Sequence, residues 1–178
     1  NRCIVLAVDE SREQTRAILA AQRRYNAAIA WYVMTSPDND AVTREFFQAN
    51  RFFGLAPEDV FFFQQGLMPA LDAKGRLLMS SPHSLATSPD GHGGIIRALK
   101  RRGALDDMAR RGVRYISHFQ VDNVLVPPVD PLFVGFHIQR SSQMSSRMVK
   151  KRSSDERVGH FCLVDGKLQV VEYSDMPG

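Results

Sequence analysis

The sequence predicts an α/β fold, a mixed but mainly parallel sheet with helices on both faces. Three observations carry this expectation. Short unbroken apolar runs such as "AIAWYVMT" and "VFFF" suit strands buried on both faces. Segments with apolar residues at helical spacing separate these runs in the first two thirds of the chain. Polar residues close the runs: Thr35 and Ser36, Gln64 and Gln65, Asp122 and Asn123, and Glu172 with Tyr173. In open α/β sheets, ligands bind beyond the carboxyl ends of the strands, so these residues are the candidates for function.

Taken in order, "CIVLAV" is compatible with strand or helix, because its periodicity does not decide. "REQTRAILAAQRRYN" is a helix by its spacing, with Asp9 or Ser11 as its cap. "AIAWYVMTS" is a strand, and "DNDAVTREFFQANRFFG" a helix ending at Gly54. "DVFFFQQG" is the next strand. "DGHGG" opens a helical run through "IIRALKRRG", and "ALDDMARRG" is a second short helix closed by Gly112. "VRYISHFQV" is a strand leading to Asp122. "FVGFHIQ", "RMVKK", "VGHFCLV" and "LQVVEYS" read as further strands, the last two joined by the tight-turn pair "DG". No repeat or low-complexity linker interrupts the chain, so a single domain over residues 1–178 is expected.

Composition narrows the classes. Of 178 residues, 44% are hydrophobic and 24% charged, enough for a packed core and unlike a disordered chain. No apolar run approaches the ~20 residues of a membrane helix, and no signal peptide is visible. Cys3 and Cys162 lie far apart in apolar runs and lack zinc spacing, so two buried thiols in a reducing compartment are expected, with cytoplasmic location. The net charge is +4, with clusters at Lys100–Arg102 and Arg147–Arg152. No aromatic platform interleaves them, which argues against a nucleic-acid partner. A start at Asn1 without methionine suggests a segment of a longer protein.

Four constellations carry candidate chemistry. "SPDGHGG" places Gly91, Gly93 and Gly94 just before a helix, where bare N–H groups can face an anion or a base edge. It matches neither the P-loop nor the dinucleotide fingerprint, and alone it also suits a structural loop. "FQVDNVLV" puts Asp122 at a strand end, where a hard cation such as Mg²⁺ or a turn would satisfy it. "FFFQQG" offers a glutamine fork of donor and acceptor that fits an imide edge, or simply solvent. "VVEYSD" sets a carboxylate beside a phenol, and both reach one ligand only if the strand bends there.

Together, "WYVMTS", "FFFQQGLMPALDAKGR", "SPDGHGGIIRAL", "DDMARRGVRYISHFQVDNVLVPPVDPLFVGF" and "VGHFCLVDGKLQVVEYSD" resemble, in this order, the UDP-N-acetylglucosamine pyrophosphorylases. These belong to the UTP-dependent sugar-1-phosphate uridylyltransferases. The likeness runs from about Ala30 to the end. It implies a Rossmann-like fold of the nucleotide-diphospho-sugar transferase type. It also implies an enzyme that joins UTP and a sugar 1-phosphate into a UDP-sugar and pyrophosphate with Mg²⁺. Its partners are then small molecules, with no nucleic acid and no membrane. By the same resemblance, Gln65 reads uracil and the Gly91 backbone completes that reading. Pro89, Asp90 and His92 share the loop as substrate-binding residues. Asp122 is the catalytic, metal-binding carboxylate, with Asn123 beside it on substrate. Gly159, Glu172 and Tyr173 line the sugar site. The closing strands favour N-acetylglucosamine 1-phosphate. His92, where those enzymes usually carry asparagine and the glucose-type relatives carry "GHG", points mildly the other way.

The sequence also departs from the pattern. The family's glycine-rich loop of the kind GGxGTRLG is not found, "LVPPVDP" lacks a lysine after the valine, and a further family lysine falls past Gly178. The chain is therefore expected to be the central segment of a catalytic domain, inactive alone. The alternative is a truncated or degenerate relative that binds a uridine nucleotide or a protein partner without catalysis.

Overall fold

The computed structural model describes residues 2–7, 11–120, 126–153 and 156–175. The chain divides into two compact units, Asn1–Phe136 and His137–Gly178. The first runs β1 (Arg2–Ala7), α1 (Ser11–Tyr25), β2 (Ala30–Thr35), α2 (Asp40–Ala49), β3 (Val60–Gln64), β4 (Leu67–Pro69), β5 (Met79–Ser81), β6 (Ser84–Leu85), β7 (Thr87–Pro89), α3 (Ile95–Arg101), α4 (Ala104–Arg110) and β8 (Val113–His118). The strand order of its main sheet is β3-β2-β1-β8, and every pairing in it is parallel. "CIVLAV" is thus a strand, at the centre of the sheet. Asp9 lies outside the described residues, and Ser11 is the first residue of α1.

Alternation along β2 explains why helices cover both faces. Trp31 and Val33 pack with Ile18 of α1 and Phe47 of α2, and Ala30, Tyr32 and Met34 pack with Ala98 and Leu99 of α3 and Ala104 and Met108 of α4. All six residues of β2 are buried, so both faces of the strand work as core. Each large apolar side chain so placed contributes about 1.5–3 kcal/mol. Parallel register sets Thr35 beside Gln64 at the carboxyl edge, and Leu6 beside His118.

Several expectations are corrected. The second helix stops at Ala49 and does not run to Gly54: Arg51, Phe52 and Phe53 have φ of +50°, +49° and +53°, which a right-handed helix cannot continue. The Phe52 and Phe53 rings pack edge-on against Phe47, which offsets the strain. Between β3 and α3, where the sequence suggested no element, β4 pairs with β7 and β5 with β6, both antiparallel. Asp72 closes the tip of this ribbon, its Oδ1 accepting from the Lys74 and Arg76 amides at 2.9 Å each.

The segment "FVGFHIQ" is helix, not strand. It belongs to α5 (Pro131–Gln139), which crosses the boundary between the units. Asp130 starts it, its Oδ1 accepting from the amides of Leu132 at 2.9 Å and Phe133 at 3.2 Å, with Pro131 in the first turn. "RMVKK" joins no ladder among the described residues, and Met148 and Val149 are exposed. In the second unit, β9 (His160–Val164) and β10 (Lys167–Val171) form an antiparallel hairpin. Its turn places Asp165 and Gly166 at φ +49° and +74°, as "DG" predicted. Cys162 is a free, half-buried thiol and not the fully buried one expected.

Candidate functional site

The carboxyl edge of the sheet assembles the glutamine side of the site. The Gln65 amide N–H donates to the Thr35 carbonyl at 2.8 Å, so the turn after β3 is tied to the end of β2. The two glutamines are in different states. Gln64 accepts from Arg102 Nη2 at 3.1 Å through Oε1. The Gln65 side chain makes no hydrogen bond among the described residues, so its donor and acceptor are available.

The ribbon brings the glycine loop to these glutamines. Leu67 pairs with Pro89, the last residue of β7, and the Asp90 amide donates to the Gly66 carbonyl at 3.0 Å. The Asp90 carboxylate lies in a space that only glycines leave. A Cβ on Gly66 would come within 2.3 Å of its Oδ2, and one on Gly94 within 2.0 Å of its Cγ. Gly91 is bare for another reason. Its φ is +54°, and a Cβ there would meet nothing within 4 Å. Gly93 also faces open space. Gly91–Gly94 forms a single 3-10 turn that leads into α3.

One open cleft of roughly 200 Å³ joins these parts. It is lined by Gln64, Gln65, Gly66 and Asp90 together with Arg97, Arg101 and Arg102. Asp90 Oδ1 is buried and has no hydrogen-bond partner among the described residues. The predicted residues Gln65 and Asp90 therefore share a cleft, with Gly91 and His92 next in chain. Sequence reasoning missed Gly66, whose need for a missing Cβ comes from Asp90, and Arg97, which lines the cleft.

His92 faces the end of β8. Gln120 Nε2 lies 2.9 Å from His92 Nε2, within hydrogen-bond distance. The His118 ring lies edge-on to His92, with centroids 5.8 Å apart. Burial, and then the neighbouring His92, hold the His118 imidazole below its usual 6.5. This histidine pair was also missed, because its members are far apart in sequence. Asp122 and Asn123 lie outside the described residues. Among the described residues, no group of three His, Cys, Asp or Glu could hold a metal ion.

In the second unit, the chain bends at "EYSD", as a shared ligand for Glu172 and Tyr173 would require. β10 ends at Val171, and Tyr173 begins a 3-10 turn through Asp175, with the Asp175 amide donating to the Glu172 carbonyl at 3.0 Å. Glu172 and Tyr173 are thereby freed from strand alternation. A Cβ on Gly159 would lie 3.6 Å from Glu172 Oε1, so those two predicted residues are neighbours. The Arg157 guanidinium lies 5.9 Å from the Tyr173 ring centroid.

The chain has known relatives. Residues 13–178 match the family model of UTP-glucose-1-phosphate uridylyltransferase. The chain is 44% identical over 150 residues to UDP-N-acetylglucosamine diphosphorylase 1 of Arabidopsis thaliana, covering 83% of this chain and 30% of that protein. It is 41% identical over 149 residues to UDP-N-acetylglucosamine pyrophosphorylase of Saccharomyces cerevisiae, covering 83% and 31%. The crystal structure of UDP-N-acetylglucosamine pyrophosphorylase from Trypanosoma brucei, in complex with inhibitor, superposes with a TM-score of 0.82 at 33% identity, over 92% of this chain and 34% of that one. The chain thus spans about a third of the length of these relatives. The parallel α/β sheet and the match over nearly the whole length agree: the chain belongs to the UTP-glucose-1-phosphate uridylyltransferase family.

Proposed function

We propose that the protein transfers a uridylyl group from UTP to a sugar 1-phosphate, with N-acetylglucosamine 1-phosphate as the favoured acceptor. The observation that carries this reading is the unengaged Gln65 amide in the same cleft as Asp90, beside the open backbone of Gly91. The imide edge of uracil presents acceptor, donor and acceptor in a row. The Gln65 fork meets two of these, and the Gly91 N–H is free to meet the third. A phosphate oxygen of the sugar phosphate attacks the α-phosphorus of UTP. The bond from that phosphorus to the bridging β-phosphate oxygen breaks, and pyrophosphate leaves. The attacking oxygen is already anionic, so alignment and charge stabilisation suffice and no general base is needed.

Mg²⁺ commonly keeps several waters and uses one or two carboxylates together with substrate phosphates, so Asp122 would hold it, and the ion would neutralise charge on those phosphates. Glu172 accepts hydrogen bonds from sugar hydroxyls, and such charge-assisted bonds are strong. The relatives named for N-acetylglucosamine support that sugar. The test compares kcat/KM for N-acetylglucosamine 1-phosphate and glucose 1-phosphate with UTP in the intact protein. A preference of roughly tenfold or more for the acetylated sugar is expected, since a site that hydrogen-bonds a group rejects the analogue without it. A preference for glucose 1-phosphate rejects the sugar, and reversal in His92→Asn assigns the choice to that residue.

A further inference from the structure

The helix that lines the cleft is basic without relief. Arg97, Lys100 and Arg101 lie in α3, Arg102 caps its end, and the helix holds no acid. By contrast, α1, α2 and α4 each pair an arginine with a carboxylate one turn away: Arg16 with Glu13, Arg44 with Asp40, Arg110 and Arg111 with Asp107. Arg97, Arg101 and Arg102 make no ion pair among the described residues. Arg102 instead donates to the neutral Gln64 Oε1 at 3.1 Å. A helix C-terminus favours cations, which accounts for the charge of the last turn but not for the want of a counter-charge. Spacing sends these arginines one way. Positions 97, 98, 101 and 102 stand at i, i+1, i+4 and i+5, one face of a helix, and all four residues line the cleft. Ala98 is buried and ends at Cβ, so it takes little of the cleft's volume. Asp90 is the one acid among the lining residues, and its carboxylate is wedged against Gly66 and Gly94 rather than paired with an arginine.

We propose that the Arg97, Arg101 and Arg102 face of α3 is an anion site that takes a phosphate group. A guanidinium stays charged at any working pH, and its planar fork meets phosphate oxygens two at a time. Gln64 already holds one such fork, so less order is lost when an anion docks on Arg102. The cleft, at roughly 200 Å³, is smaller than the pockets of about 300 Å³ or more that enclose drug-sized ligands, so it receives one group of a ligand at a time. A neutral base gives three guanidinium groups nothing to neutralise, whereas a phosphate does. The inference concerns the same cleft as the uridylyl-transfer reading, but it stands on the arginines and does not need Gln65 to read uracil. The phosphate has two sources of the same chemistry: the phosphates of a bound nucleotide, or free phosphate or pyrophosphate. The arginines are exposed, so the attraction is screened by salt.

The experiment is calorimetric titration of the intact protein with inorganic phosphate, pyrophosphate, UTP and uridine, at low and high salt, with thermal unfolding alongside. The variants are Arg101→Gln, Arg101→Gln combined with Arg102→Gln, and Arg110→Gln, which removes an exposed arginine outside the cleft. Arg101→Gln is expected to weaken the phosphate-bearing probes roughly tenfold, the worth of one charge-assisted hydrogen bond, and the double variant more. Arg110→Gln should leave them unchanged. Arg101 is exposed and without an ion pair among the described residues, so its variant should keep the wild-type Tm and remains decisive if the double variant unfolds. If the double variant weakens UTP and spares uridine, the face holds the nucleotide's own phosphates. If it loses phosphate and pyrophosphate while UTP binds as before, the face holds a free anion. The site is overturned if no phosphate-bearing probe loses affinity in these variants. It is equally overturned if Arg110→Gln costs as much as Arg101→Gln, because diffuse charge then explains the binding. A wild-type protein that binds phosphate but not UTP would reject the uridylyl-transfer reading and leave the anion site standing.

Discussion

At the scale of single residues, the glycines of "PDGHGG" were legible as a group, but their separate reasons were not. The expectation was that a ligand lies against bare backbone. Gly91 is open and at positive φ, whereas Gly94 and Gly66 are bare for an internal neighbour, the Asp90 carboxylate. A sequence cannot separate these cases, because the neighbour of Gly66 lies 24 positions on and arrives through the β4–β7 ribbon. The distinction is testable. Gly94→Ala puts a Cβ 2.0 Å from Asp90 Cγ, an overlap that must be relieved by a shift. Overpacking of this kind costs about 1–3 kcal/mol. Thermal unfolding should show the loss, and Asp90→Ala in the same background should recover most of it, giving a coupling between the two sites. Additive losses would show that Asp90 moves aside freely. Gly91 calls for a different substitution. At φ +54° a valine would be strained whatever it blocks, so Gly91→Asn, which tolerates that conformation, separates backbone strain from lost nucleotide affinity. Its fold should hold while calorimetry shows weaker UTP binding.

At the scale of elements, the sheet strands were readable because burial on both faces leaves unbroken apolar runs, as in β2. The failures came where tertiary context decides. "FVGFHIQ" is rich in residues that favour strands, yet Asp130 and Pro131 start a helix there. That signal was present in "VDP" and was outweighed by composition. The placement of α4 was equally hidden. Asp107 accepts from Tyr32 Oη at 2.5 Å, from Arg111 Nε at 2.6 Å and from Arg110 Nη2 at 3.1 Å. Arg111 continues to Asp59 Oδ1 at 3.2 Å and to the Glu58 carbonyl, so one carboxylate ties α4 to β2 and to the turn before β3. Burial and the Asp107 carboxylate push the Tyr32 phenol well above its usual range. Asp107→Ala leaves the hydroxyl of the fully buried Tyr32 without its acceptor, a loss of about 1–3 kcal/mol. Arg110→Ala, at a side chain 71% exposed, should change stability by less than about 0.5 kcal/mol. Urea unfolding midpoints of the two variants decide it, and equal midpoints would mean that the network contributes nothing beyond a surface ion pair.

Across the whole molecule, the shifted carboxylates and histidine act in one direction. Burial raises the Asp40 carboxyl, but hydrogen bonds from Arg44 and Thr35, the Arg44 charge and the Gln64 amide outweigh it and hold the group below the usual carboxylate range. Asp107 is depressed in the same way, burial being overcome by Tyr32 and Arg111. The His118 ring is depressed by burial and by His92, although it keeps an exposed edge that limits the effect. In each case the folded protein resists protonation more than the unfolded chain, so the unfolded chain binds more protons and stability rises with pH. The contribution of each group is present above its unfolded pKa and is lost as pH falls through the folded one. The Tm should therefore be level above about pH 7 and decline gently between about pH 7 and 5 as unfolded histidine charges. It should then fall steeply below about pH 4, where the carboxylates of the unfolded state take up protons. Asp72 is depressed too, by the backbone and side chain of Arg76, but it stands in solvent and adds little to the steep limb. His118→Gln should flatten the gentle limb alone, and Asp107→Asn should soften the steep one alone. A wild-type Tm that climbs as pH drops through 6 would mean that His118 gains a proton on folding, and that the His92–His118 contact is attractive.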